Sequence, residues 1–171
     1  MKIITKIINI LLTLVIIIGL IFVFLYAIKI EPYVVLSGSM EPTLQVGSLS
    51  FINKNIKYED VKEGDIVAYR SEKILIEHRV KSIDTNGFVT KGDANEEDDG
   101  LSVNKMNYIG VNAFNIPYVG YAVRWIQTPK GKIISATLVV CLIVSAFIFD
   151  DGDKKKNENK KNKKKKIEKE D

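Results

Sequence analysis

Several residue types are scarce in this sequence. One cysteine, Cys141, excludes an intrachain disulfide, so packing alone must hold any folded domain together. One histidine, His78, far from that cysteine, leaves no zinc-ligand spacing. The acidic run Glu96-Glu97-Asp98-Asp99 lacks the alternation and placed glycine of a calcium loop, so neither a metal nor another cofactor is expected. Charge is missing from residues 7–28 and again from residues 133–149. Beyond Asp150 it is apolar residues that run out, in favour of lysine, asparagine and acids. That last segment interleaves acids with its lysines and has no aromatics, so it offers neither the dense positive patch nor the stacking platform of a nucleic-acid binder. There is no internal repeat.

The uncharged runs are what the sequence does supply. Residues 7–28 give 22 uncharged positions, about the 20 a helix needs to cross a bilayer. A cleavable leader has a shorter apolar region, about 7–15 residues, and a small-residue end, whereas this run closes on Phe22, Phe24, Leu25 and Tyr26. A retained anchor is therefore expected, with Lys2 and Lys6 in a cytoplasmic segment, residues 1–6. The second run, 133–149, has 17 uncharged residues and follows Tyr118, Tyr121 and Trp125, rings suited either to a membrane interface or to a core. Cys141 inside it reads as a small hydrophobe. Residues 150–171 read as a disordered, lysine-rich cytoplasmic tail drawn to anionic lipid. The expected order is a cytoplasmic N-terminus, a span at 7–28, an extracytoplasmic domain at 29–132, a span at 133–149 and a cytoplasmic tail.

The middle of the chain is patterned for strands. Tyr33-Val34-Val35-Leu36, Ser48-Leu49-Ser50-Phe51-Ile52, Ile66-Val67-Ala68-Tyr69, the stretch 74–83 and Phe88-Val89-Thr90 are short, apolar or alternating. Asp84-Thr85-Asn86-Gly87 marks a hairpin between the last two. Short strand-like pieces continue from Val103 to residue 116, and no long helical period precedes Tyr118. A β-rich domain follows.

Three features of that domain bear chemistry. Ser37-Gly38-Ser39-Met40-Glu41-Pro42-Thr43-Leu44 places two hydroxyls in a bend that glycine permits, either a plain turn or a presented nucleophile. His78 is either an ordinary polar residue or a base able to take a serine proton near neutral pH. Asp93, Asp98 and Asp99 lie in the acidic loop, where most carboxylates are simply solvated but one is available to orient a histidine.

Taken together and in order, the Ser37–Leu44 stretch, Gly64-Asp65-Ile66-Val67-Ala68-Tyr69, Glu77-His78-Arg79-Val80 and Thr90-Lys91-Gly92-Asp93-Ala94-Asn95 resemble the boxes of type I signal peptidases. The resemblance runs from about residue 35 to residue 120. His78 stands where the common bacterial enzymes carry a lysine base, which resembles the Ser-His subgroup of endoplasmic-reticulum, archaeal and sporulating Gram-positive enzymes, peptidase family S26B. The resemblance implies a mainly β catalytic domain of signal-peptidase type, anchored by one N-terminal and one C-terminal transmembrane helix. It implies Ser39 as nucleophile, His78 as general base, Asp99 as the acid that orients it, and Asp93 as a further functional position. The backbone N–H of Ser39 and the Ser37 hydroxyl would form the oxyanion hole, with Met40 in the same substrate-binding stretch. The implied substrate is an exported preprotein with small residues at the first and third positions before the cut. The implied surroundings are the lipid bilayer of the cell membrane, crossed twice, and a nearby secretion translocon. The contrasting possibility is a catalytically silent two-span accessory subunit with a β-rich external module.

Overall fold

The computed structural model describes residues 2–72 and 74–167, with ten regular elements. They divide into two compact units, residues 23–128 and the terminal segments 1–22 with 129–171.

The terminal unit is helical. Helix α1, Lys2–Ala27, is apolar throughout, and most of its side chains are exposed. Helix α3 covers Pro129–Ile167. Residues 3–27 of α1 and 129–148 of α3 are long and apolar enough to cross a membrane. Both helices begin earlier than the uncharged runs, because lysine is a good helix former and the helix extends through Lys6 and through Lys130 and Lys132 without a break. Helix α3 also continues to Ile167, where the sequence reading has a disordered segment from Asp150. Lysine and glutamate cost a helix little once an apolar segment has nucleated it. Residues 168–171 of the expected tail, and Met1 of the expected N-terminal segment, lie outside the described residues.

The central unit is one six-stranded antiparallel sheet, as the strand patterning implies. Its strands are β1 Ile30–Val34, β2 Leu49–Asn53, β3 Ile66–Ser71, β4 Ile74–Asp84, β5 Gly87–Lys91 and β6 Tyr108–Ile116. Their order across the sheet is β1-β2-β6-β3-β4-β5. β1 lies three residues before the expected Tyr33–Leu36 run at its start, because its pairing with β2 begins at Ile30 opposite Asn53. The strand-like pieces after Val103 resolve into β6 and a single bridge from Val103 to Phe88. The 84–87 hairpin forms, with the Asp84 carboxylate accepting from the backbone N–H of Asn86 (2.6 Å) and Gly87 (3.0 Å). Gly87 has φ +136°, and a Cβ there would come within 2.3 Å of the Val103 carbonyl oxygen, so this turn requires glycine.

Side-chain alternation sorts the sheet into two faces. One face carries Val67, Tyr69, Val80, Phe88 and Val111, buried with Val61 and Val103. Tyr58 stacks on Phe88 there at 4.2 Å. Met40 and Leu44 of the bend at 37–44, and Leu49 and Ile52 of β2, are buried as well. A short helix α2, Val119–Gln127, follows β6 and packs on β1. Its nine residues give too brief a period to stand out from sequence.

β4 is longer than its partners. β3 pairs along Ile74 to Arg79, whereas β5 pairs only from Arg79 onward. Among the described residues the upstream half of β4, ending next to His78, therefore has one backbone edge with no strand partner.

Candidate active site

Ser39 belongs to a bend held from two sides. The Glu41 N–H donates to the Gly38 carbonyl at 3.0 Å, and the Leu44 N–H donates to that of Met40 at 2.8 Å. These bonds close consecutive turns, and the peptide between Glu41 and Pro42 is cis. Buried Met40 and Leu44 pin the bend to the core from below. From the other side the Ala94 N–H donates to the Ser39 carbonyl at 2.8 Å. Gly92 is what lets that loop come so close, since a Cβ on it would sit 2.6 Å from the same carbonyl oxygen. Among the described residues the backbone N–H of Ser39 has no acceptor, so it is available to a ligand.

His78 is buried in the middle of β4, at 7% exposure, on the core face beside Tyr69. Its Nε2 lies 3.0 Å from Ser39 Oγ and its Nδ1 2.6 Å from Asp99 Oδ2. With Nδ1–H donated to the carboxylate, Nε2 is left as the acceptor for the serine hydroxyl. Asp99 is fixed in turn. Its backbone N–H donates to the Thr90 carbonyl at 2.7 Å, while its Oδ2 accepts from Tyr69 Oη at 2.8 Å and Thr90 Oγ1 at 2.7 Å. Burial and the Asp99 hydrogen bond both push the Tyr69 phenol well above its ordinary range, so it stays a donor.

Of the residues singled out in the sequence, the structure thus joins Ser39, His78 and Asp99 in one hydrogen-bonded line. Ser37 Oγ is 3.4 Å from Ser39 Oγ, beside the line. Met40 lies next to it with a buried side chain. Asp93 belongs to a different arrangement. Its carboxylate takes Arg79 Nε at 2.8 Å and Nη2 at 2.6 Å, and it accepts the Thr43 hydroxyl at 2.6 Å. Arg79 Nη1 also donates to the Gly64 carbonyl at 2.8 Å. The Arg79 guanidinium holds the Asp93 carboxyl below the usual carboxylate range, with the Thr43 hydroxyl adding to this against a smaller opposing effect of burial. Asp93 is therefore a clamp that ties the loop after β5 to the serine bend and to β4.

Sequence reasoning passed over Tyr69, Thr90, Arg79 and Thr43. The signal for Tyr69 and Thr90 was parity: with His78 at the centre, both fall on its face of the sheet.

A cleft of about 630 Å³ opens beside Ser39 and His78. One wall is the end of β1 and its continuation, residues 33–37, and the other is the uncovered half of β4. Three strands separate β1 from β4 in the sheet order, so the sheet must curl to bring both to one cleft. Among the described residues there is no cluster of three or more histidine, cysteine or acidic side chains fit to hold a metal.

The chain also resembles known proteins along much of its length. Residues 6–107 match the family described as signal peptidase, peptidase S26. The signal peptidase complex catalytic subunit SEC11 of Komagataella phaffii is 36% identical over 116 residues, covering 57% of this chain and 67% of the relative. SEC11 of Colletotrichum graminicola is 35% identical over 127 residues, covering 63% and 73%. SEC11C of Homo sapiens is 41% identical over 101 residues, covering 51% and 52%, so the chain spans about half the length of that relative. With more than half its length matched, the chain belongs to the signal peptidase family, peptidase S26, alongside the endoplasmic-reticulum type of catalytic subunit.

Proposed function

We propose that the chain is a membrane-anchored serine endopeptidase that removes N-terminal signal peptides from exported preproteins. The observation that carries this reading is the line from Ser39 Oγ through His78 to Asp99, at 3.0 and 2.6 Å, opening on the cleft.

In the proposed reaction Nε2 of His78 takes the Ser39 proton as Oγ adds to the scissile carbonyl. Asp99 holds the ring and balances the imidazolium that forms. The free Ser39 N–H and the Ser37 hydroxyl stabilise the oxyanion. The imidazolium then gives its proton to the leaving amine, which departs as the new N-terminus of the mature protein. Water, deprotonated by the same ring, releases the signal peptide from Ser39 as a carboxylate. The substrate lies extended along the uncovered edge of β4, where backbone pairing supplies affinity and alternate side chains enter the cleft.

Membrane anchoring serves this chemistry. The substrate's own apolar segment is in the bilayer, and an enzyme confined to the same surface meets it at lower entropic cost. In the proposed topology both termini are cytoplasmic and the β domain is extracytoplasmic. The proposed partners are signal-peptide-bearing preproteins, the lipid bilayer and a secretion translocon.

The test is cleavage of a preprotein with an Ala-x-Ala site by the full chain in detergent or liposomes. Product is expected with the wild type and not with Ser39→Ala or His78→Ala. Full activity in either variant sinks the mechanism. Protease digestion of intact cells that spares the β domain until the cytoplasm is opened overturns the topology.

A further inference from the structure

Glu77 adjoins His78 in β4 but points to the opposite face of the sheet. Its Oε2 accepts the Ser50 hydroxyl of β2 at 2.6 Å. Asn112 Nδ2 of β6 donates to Ser50 Oγ at 2.7 Å and approaches the same carboxylate oxygen at 3.4 Å. The side chain reaches across two strands because the intervening register positions are small: Ala68 opposite Glu77, and Gly110 opposite Ala68.

This carboxyl has a second oxygen with no hydrogen bond among the described residues, and that oxygen is not among the atoms sealed from solvent without a partner. Glu77 lines the same cleft as Ser39 and His78, whose other walls are largely aliphatic, with Val35, Leu36, Leu75 and Ile76. Burial raises the Glu77 carboxyl above its ordinary range, with Ser50 and Asn112 opposing the shift. That second oxygen, not sealed from solvent, is free to accept a further donor. Neither proton transfer nor oxyanion binding uses Glu77, since its hydrogen bonds go to Ser50 and Asn112 and those of His78 to Ser39 and Asp99.

We propose that Glu77 is a specificity-determining residue, selecting substrates with a short, neutral hydrogen-bond-donating side chain (serine, threonine or asparagine) at one of the three positions before the scissile bond. This rests on the endopeptidase reading above. The donor must be short because the inner oxygen is already filled by Ser50 and the cleft must also seat the substrate backbone. A neutral donor is favoured over an ammonium, which would have to shed its hydration in an aliphatic cleft.

The experiment uses the full chain in detergent and a panel of preprotein-derived peptides. Each of the three residues before the cut is in turn alanine, valine, serine, asparagine or lysine. The readout is the ratio of kcat/KM for serine over alanine at one position, measured within a single enzyme preparation so that any unfolded fraction cancels. The wild type is expected to prefer serine about ten-fold at one position, the order of a hydrogen bond to a charged acceptor. Glu77→Leu is expected to bring the ratio to one or reverse it toward alanine and valine. Glu77→Gln keeps a carbonyl oxygen and is expected to retain part of the preference. If Glu77→Leu is inactive, the ratio in Glu77→Gln decides: a value equal to the wild type overturns the proposal. Equal ratios in wild type and Glu77→Leu, or a preference for lysine over serine, overturn it while leaving Ser39-dependent cleavage standing. If no peptide is cut in a Ser39-dependent way, both readings fall.

Discussion

His78 and Arg79 are neighbours on β4, yet each organises a different network around an aspartate. His78 faces inward to Asp99, which is surrounded by neutral donors, Tyr69 and Thr90. Arg79 faces the other way to Asp93, which it grips with two parallel bonds. Among the described residues no fixed cation pairs with the first carboxylate, which leaves it to balance the charge that the proposed reaction puts on the imidazole. The second is permanently paired and has little left to give to a reaction. One strand thus carries the proposed catalytic network and a structural one, separated by the alternation of its side chains.

The comparison can be broken by substitution, beginning with the reactive side. Ser39→Ala and His78→Ala are each expected to lower kcat by about 10⁶, to the level of residual binding effects; Ser39→Ala should leave the melting temperature unchanged, whereas His78→Ala should lower it, because it truncates a buried side chain and leaves Asp99 without its imidazole partner. Assays of purified variants beside a thermal melt check both halves of that statement. Asp99→Asn is expected to cost about 10⁴ in kcat, because an amide favours the wrong imidazole tautomer, whereas Asp98→Asn stays within about two-fold. Equal losses at 98 and 99 would undo the assignment. Tyr69→Phe removes one donor from Asp99 and is expected to lower kcat about ten-fold or less, leaving KM in place.

On the structural side, Arg79→Leu or Asp93→Asn is expected to destabilise the domain by about 1–2 kcal/mol, a value discounted because the pair is partly solvent-screened. Differential scanning fluorimetry measures it. A loss of activity at 25 °C as large as that of Asp99→Asn, with no shift in melting, would merge the two networks. The smallest effect is on pH dependence. Because Asp93 is held below its ordinary range, its contribution is present above the unfolded value of about 4 and disappears as pH falls through the lower folded value. Asp93→Asn should therefore flatten the melting curve below about pH 4 and leave the neutral region parallel to the wild type.

Much of this layout is legible in the residues. β3, β4 and β5 follow from alternation and from the Asp84-Thr85-Asn86-Gly87 turn, both local signals. The two apolar helices follow from length and missing charge. The start of β1 is less visible, because an apolar span passes almost directly into it and only pairing with β2 marks its register. Choosing between Asp98 and Asp99 needs the path of an aperiodic loop, here fixed by the bond from the Asp99 N–H to the Thr90 carbonyl. The clamp at Asp93 joins residues 50 apart in sequence, Thr43 and Asp93, and no local pattern announces such a contact. Ser39 itself reads as a turn until His78 and the later boxes are set beside it.

The uncovered half of β4 has a consequence beyond the proposed capture of substrate. Backbone pairing grips an extended chain without regard to whether its scissile bond is whole. In the proposed reaction the severed leader keeps every main-chain contact its precursor made, so this affinity lowers KM without speeding the bond-breaking step. Turnover then depends on withdrawing the spent fragment, and the bilayer, which solvates its apolar segment, is the sink that empties the cleft. In detergent, a synthetic leader ending at the cut should inhibit competitively, and inhibition should weaken when lipid vesicles are added to absorb it.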